Sequence, residues 1–205
     1  MEYYASRHGT VSIAHERNVF ETVALQVLII AQTAFDRHVT AHAYRTAQFA
    51  EATARQLGRS KEEQHMLRLA ALLHDLGKIV IPRAIRHKAG PLTHDEWAVM
   101  RLHPEIGQRI LEQVGGVFQT VATLVGAHHE RWDGLGYPLG LEGREIPLGA
   151  RILSVVDSFD AMISHRSYRE PLSIVQARAE LQQCGGSQYD PCAVEAFLHV
   201  LDEQE

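Results

Sequence analysis

The chain has 205 residues and only two cysteines, Cys184 and Cys192. They lie near each other without CxxC spacing. That excludes a zinc knuckle or a disulfide framework and suits a reducing, cytoplasmic setting. The N-terminus lacks the basic-apolar-small pattern of a secretory signal. Long apolar runs are missing too. The longest, Val23–Ile30, is interrupted by Gln26 and followed by Gln32. It is too short to span a bilayer and reads as a core helix or a dimer-forming one. No stretch alternates with period two, and there is no internal repeat or low-complexity segment. Positive charge is in deficit, with a formal net charge of -5. This argues against a nucleic-acid polymer as partner. An anionic small substrate stays open, because a metal centre can supply local positive charge.

What is present is the composition of one soluble domain, 45% hydrophobic and 22% charged. Without period-two alternation, the pattern predicts an all-α fold. Met1 to His15 is polar and aperiodic and reads as a tail or the remnant of a junction. A helix is expected from Glu16 to Phe35, a break at Asp36–Thr40, and a second helix capped by Thr40 and running to Gly58. Its Ala41, Ala43, Ala47 and Ala50 form a small-residue face. Ser60 with Glu63, and Thr93 with Glu96, are capping boxes that open further helices. Pro104 sits in the first turn of the next, and Gly115-Gly116 stops it. Val117–His129 reads as a helix, and Arg131–Pro147 as a loop long enough to be functional. Apolar Leu148–Ile163 and two last helices complete the chain. Residues 1–34 are taken as tail and lead-in helix, and 35–205 as the domain proper.

Thirteen histidines are present, and their positions carry the signal. The stretch Leu73-His74-Asp75-Leu76-Gly77-Lys78 ends an apolar helix with an imidazole, a carboxylate, a glycine and an ammonium. A buried Asp75 must be paired or bind a cation. Adjacent helical residues point about 100° apart, so His74 and Asp75 cannot serve one metal equally. The carboxylate can lie between two cations while His74 caps one. Gly77 is read as a conformational exit from the helix, with Lys78 adding charge beside the site. An Asp75–Lys78 ion pair closing the helix is the plainer alternative. His42, His103, His128, His129 and Asp157 also lie on or at the ends of apolar helices. Each alone has an ordinary explanation; Asp157, for one, would pair with Arg151 or cap a neighbour. Together, five imidazoles and two carboxylates suit iron, manganese or zinc better than magnesium or calcium. They exceed what one tetrahedral metal needs, so at least two metals are inferred.

These residues carry a resemblance. The chain resembles the HD-GYP family, a branch of the HD superfamily of metal-dependent phosphohydrolases, from about Asp36 to past Asp190. The matching segments are His42-Ala43-Tyr44-Arg45, His74-Asp75-Leu76-Gly77-Lys78, His103-Pro104-Glu105-Ile106-Gly107, the run His128-His129-Glu130-Arg131-Trp132-Asp133-Gly134-Leu135-Gly136-Tyr137-Pro138, and Asp157-Ser158-Phe159-Asp160-Ala161-Met162. The resemblance implies an HD-domain helical bundle with a long GYP loop. It implies a cytoplasmic phosphodiesterase of cyclic di-GMP, with cyclic GMP-AMP a less common family substrate. The products would be linear pGpG, GMP or both, formed by a hydroxide that bridges the metals.

The family's metal ligands match His42, His74, Asp75, His103, His128, His129 and Asp157. Asp75 and Lys78 would be the catalytic pair, Lys78 also steadying the phosphate. Arg166 and Arg169, three residues apart, would grip a phosphate, unless they are solvated surface. Tyr137 would either stack on ligand or pack on the core, and Asp36 is carried over as a substrate contact. Some members place a metal-binding glutamate four residues before the first histidine. Here that position is His38, so two divalent transition metals are expected rather than three: iron or manganese first, zinc or nickel as alternatives. The GYP loop is also implicated in partner contacts, for example with a GGDEF-type signalling protein. An HD hydrolase of other phosphoesters and a catalytically weak binding module are the competing readings.

Overall fold

The computed structural model describes residues 6–35, 37–165 and 170–203, of which 6–18, 35 and 37–40 by backbone alone. The fold is all-α. Its helices are α1 (Ser6–Phe35), α2 (Arg37–Gln56), α3 (Lys61–Leu73), α4 (Arg83–Arg86), α5 (His94–Met100), α6 (His103–Val114), α7 (Phe118–Gly126), α8 (Leu148–Ile163), α9 (Ile174–Cys184) and α10 (Pro191–Asp202). A 3₁₀ turn, Leu76–Val80, follows α3. Extended pairing among the described residues is limited to isolated bridges, Asp133 with Glu142 and Gly185 with Tyr189. No helix is long and apolar enough to cross a membrane among the described residues.

Side chains fix where several helices begin. Ser60 accepts from the Glu63 amide while the Glu63 carboxylate accepts from Ser60 N, and Thr93 with Glu96 does the same. Ser173 with Gln176 forms a third reciprocal cap. These satisfy amides that the first helical turn leaves without partners.

At the centre α2 packs against α3, α8 and α10. It does so through Ala43, Ala47, Ala50 and Ala54, all buried, so the small-residue face is displaced from the expected one: Ala41 is exposed. Small side chains let neighbouring backbones approach, and Phe49, Phe159 and Phe197 fill the space beyond. Their ring centroids lie 5.0–5.8 Å apart in edge-to-face contacts.

Three boundaries differ from expectation. Helix α1 begins at Ser6, not Glu16, because once a packed turn exists each added residue brings its own hydrogen bond. Thr40 lies inside the first turn of α2 instead of capping it. No glycine or proline between Arg37 and Thr40 delays the helix. Helix α7 stops at Gly126, so His128 and His129 stand in the turn just beyond it.

Candidate metal centre

Three histidines stand at or just past helix C-termini and share one device. His74 Nδ1–H donates to Ala71 O at 2.8 Å, His103 Nδ1–H to Met100 O at 2.8 Å, and His128 Nδ1–H to Val125 O at 2.6 Å. These acceptors lie in the last turns of α3, α5 and α7, where carbonyls lack intrahelical partners. A carbonyl only accepts, so the proton is on Nδ1 and each Nε2 presents a lone pair. The three rings are buried. Burial first, and then the charge of Lys78, depress His103 to a pKa of about 3. Burial and His74 take His128 to about 4.

The lone pairs converge. His103 Nε2 and His128 Nε2 are 3.4 Å apart. His103, His128 and His129 each offer an atom within 4.8 Å of the others. Neutral nitrogens facing each other at this distance repel unless a cation lies between them, so the donor set fits a transition metal.

His42, His74 and Asp157 form a second such group, again within 4.8 Å. His42 Nε2 is 3.0 Å from Asp157 Oδ1 and 3.3 Å from His74 Nε2. Its electrostatics are opposite in sign. Burial works against charge on His42, but Asp157 and Asp160 outweigh it and raise its pKa to about 10. This half of the centre pulls in a cation by charge, and the other offers nitrogen alone.

Asp75 lies between the two groups. Its Oδ1 is 3.6 Å from His74 Nε2 and 3.7 Å from His103 Nε2. Lys78 Nζ donates to both its oxygens, at 2.7 and 2.8 Å. Burial opposes ionisation of Asp75, yet Lys78 and the adjacent imidazoles hold it well below the usual carboxylate range. The ion pair and the shared position between the clusters therefore coexist.

Gly77 makes this placement possible, for a different reason from the one expected. Its φ is not positive. A Cβ there would lie 2.0 Å from His103 O and 2.7 Å from Gly107 N, so only glycine lets the 3₁₀ turn touch α6. That contact brings Asp75 up to His103.

Several contributors had no role in the sequence reading. The Asp160 side chain is fully buried; its Oδ2 accepts from His42 Nδ1 at 2.6 Å. Arg45 donates to Asp160 through Nε at 2.6 Å and Nη2 at 2.8 Å. A carboxylate in this position orients a candidate ligand histidine. Two signals were available: a carboxylate three residues past Asp157 on an apolar helix, and an arginine three residues past His42. Asp157 does not pair with Arg151, which instead holds Asp190 at 2.6 Å.

The loop after α7 is tied by Glu130, buried, which accepts from Leu139 N at 2.6 Å and Leu141 N at 3.1 Å. A Cβ on Gly136 would lie 2.3 Å from Arg131 N, so the loop folds tightly back on its own start. Tyr137 thereby stacks on His129, centroids 4.9 Å apart and planes 28° from parallel. The Arg101 guanidinium lies over the Tyr137 ring, 5.3 Å from its centroid. Asp36, Arg166 and Arg169 lie outside the described residues, as does the side chain of His38.

Comparison with known proteins places this geometry. A family model described as the HD domain matches residues 29–192. The chain is 41% identical over 174 residues to a 3'3'-cGAMP-specific phosphodiesterase of Vibrio cholerae, covering 84% of this chain and 33% of that one. It is 40% identical over 190 residues to a cyclic di-GMP phosphodiesterase of Thermotoga maritima, covering 92% and 51%. It is 44% identical over 164 residues to a cyclic di-GMP phosphodiesterase response regulator of Xanthomonas campestris, covering 80% and 43%. The chain thus spans between a third and about half of the length of these relatives. Among solved structures, an HDG"Y"P protein from Bdellovibrio bacteriovorus shares the fold, with a TM-score of 0.65 at 22% identity over 80% of this chain and 52% of that one. With the family model covering most of its length, from the end of α1 to the start of α10, the chain belongs to the HD domain family.

Proposed function

We propose that this chain is a metal-dependent phosphodiesterase of cyclic dinucleotides, with cyclic di-GMP as substrate and linear pGpG, GMP or both as product. The observation that carries the reading is the pair of donor clusters, three nitrogens in one and two nitrogens with a carboxylate oxygen in the other, with Asp75 between them. The relatives named above as cyclic di-GMP and 3'3'-cGAMP phosphodiesterases point to the substrate class. Two divalent cations, iron or manganese before zinc or nickel, would be held by His42, His74, Asp75, His103, His128, His129 and Asp157. When bound, such a pair supplies an activated water and neutralises charge on the phosphate.

The protein's own share is placement. Lys78 keeps Asp75 ionised and stands half-buried beside it, where an ammonium can also meet a phosphate oxygen. Asp160 and Arg45 hold the His42 ring. Tyr137, stacked on His129 beneath Arg101, is assigned to the substrate, with Arg166, Arg169 and Asp36, by its place in the motif. Residues 35–205 are taken as the catalytic domain, with 1–34 as tail and lead-in, acting in the cytoplasm. Leu135 and Leu139, 78% and 74% exposed on the loop, give a GGDEF-type signalling partner an apolar foothold.

The test is turnover. Protein loaded with manganese, or with ferrous iron under reducing conditions, hydrolyses cyclic di-GMP, and Asp75→Ala abolishes this. Assays run beside it use 3'3'-cGAMP and simple phosphoesters. Binding of cyclic di-GMP without hydrolysis in metal-loaded protein, or turnover confined to simple phosphoesters, overturns the proposal.

A further inference from the structure

Helix α1 carries two apolar faces. One packs on the core through Ala24, Leu25, Leu28 and Ile29, and there Gln32 donates Nε2 to Leu72 O at 3.3 Å. The other is bare among the described residues. Val19, Phe20, Val23, Val27 and Ile30 are 50%, 56%, 52%, 58% and 66% exposed. At about 100° per residue, this face lies on the side of the helix opposite the packed one.

Its spacing says what covers it. Phe20, Val23, Val27, Ile30 and Ala34 follow one another in steps of 3, 4, 3 and 4. That is the narrow seam along which one helix meets another of the same period, not the broad stripe that rests on a globular core. The residues bordering the seam, Val19, Ala24, Gln26, Ala31 and Thr33, are uncharged, so two copies of it meet without like-charge repulsion. From Asn18 to Phe35 there is no lysine or arginine, and Glu21 is the one charge. An amphipathic helix that lies on anionic lipid needs a basic polar face, and this one has none.

We infer that the outward face of α1 is the contact between two copies of this chain, pairing helix to helix around a two-fold axis. The five side chains offer on the order of 400 Å² per copy, about half of what a standard interface buries per partner. An interface of this size is that of a weak, reversible association.

Sedimentation velocity on the full, metal-loaded chain, from about 1 to 200 µM, reads this directly. The expected result is a concentration-dependent monomer–dimer equilibrium. V23E/V27E weakens it at least about thirtyfold, with metal content and helicity unchanged because both side chains face away from the core. V23A/V27A, in which alanine favours the helix, keeps the fold and weakens pairing about tenfold. L135E, in the loop after α7, leaves it unaltered. A wild-type monomer at 200 µM overturns the inference. So does a dimer indifferent to both seam variants, or one lost in L135E, or wild-type chain bound to anionic vesicles through the same face.

Discussion

Asp160→Asn isolates the contribution of a carboxylate that stands in neither donor group. Asp160 receives four hydrogen bonds. Oδ1 accepts from Arg45 Nε, and Oδ2 from His42 Nδ1, Arg45 Nη2 and Ser164 Oγ. An amide keeps the shape but has one acceptor and one donor end. If its oxygen serves the three donors at Oδ2, its NH₂ is driven against Arg45 Nε. If it turns over, the NH₂ faces His42 Nδ1, which must then give up its proton and move it to Nε2, the atom that should hold metal. Either arrangement leaves a buried donor opposed to a donor, at a cost of about 1–3 kcal/mol. Loss of such an orienting partner typically weakens metal binding 10–100-fold, or about 1.4–2.7 kcal/mol. The loss falls on one cluster only, because Asp160 has no contact with His103, His128 or His129. The assay is metal titration with a competing chelator, alongside the metal count per chain. One binding step should shift by one to two decades and the other stay in place. Two unshifted steps, or an equal shift in both, would refute the argument that Asp160 acts through His42.

Four further outcomes follow from particular contacts. Gly77→Ala forces the 3₁₀ turn off α6, costing about 3 kcal/mol, and should lower the melting temperature by on the order of 10 °C together with metal content; a melt unchanged within a degree or two would mean the backbone contact is not needed. Glu130→Gln presents an NH₂ to one of the two amides it now accepts from, costing about 1–3 kcal/mol; hydrogen exchange should quicken at Leu139 and Leu141 while metal content holds. Arg101→Ala removes the guanidinium that lies over Tyr137 and should raise KM for cyclic di-GMP by up to roughly tenfold with kcat nearly constant, as loss of a cation–π contact that positions a substrate-binding ring would; a fall in kcat alone would count against that positioning. Stripping metal with chelator should leave the far-ultraviolet circular dichroism nearly intact, since the core and caps stand without it, and a collapse of helicity would show that the cations hold the fold together.

The candidate ligands were legible because they break a rule. A polar side chain on an otherwise apolar helix must have a partner, and His42, His74, Asp75, His103, His128 and Asp157 each break it in a segment with a clear period. Capping boxes at Ser60 and Thr93 were equally local and equally readable. What escaped was relational. Asp160 meets the donor cluster through a histidine 118 positions earlier in the chain. Gly77 looked like a conformational need and proved to be a close approach, a difference that no φ preference encodes. The start of α1 was hidden because helix extension needs no apolar pattern.

One relation was nonetheless written locally. His74, His103 and His128 each follow by three residues the carbonyl that binds their Nδ1. A histidine placed just where an apolar helix runs out satisfies an orphan carbonyl and, by the same bond, fixes its own tautomer. Helix termination and the aiming of a candidate ligand are then one event. The lone pairs are aimed as soon as α3, α5 and α7 form, before any cation arrives. His42 is the exception that clarifies the rule: it sits within α2, where every nearby carbonyl is already used, and so its Nδ1 must take a carboxylate from α8.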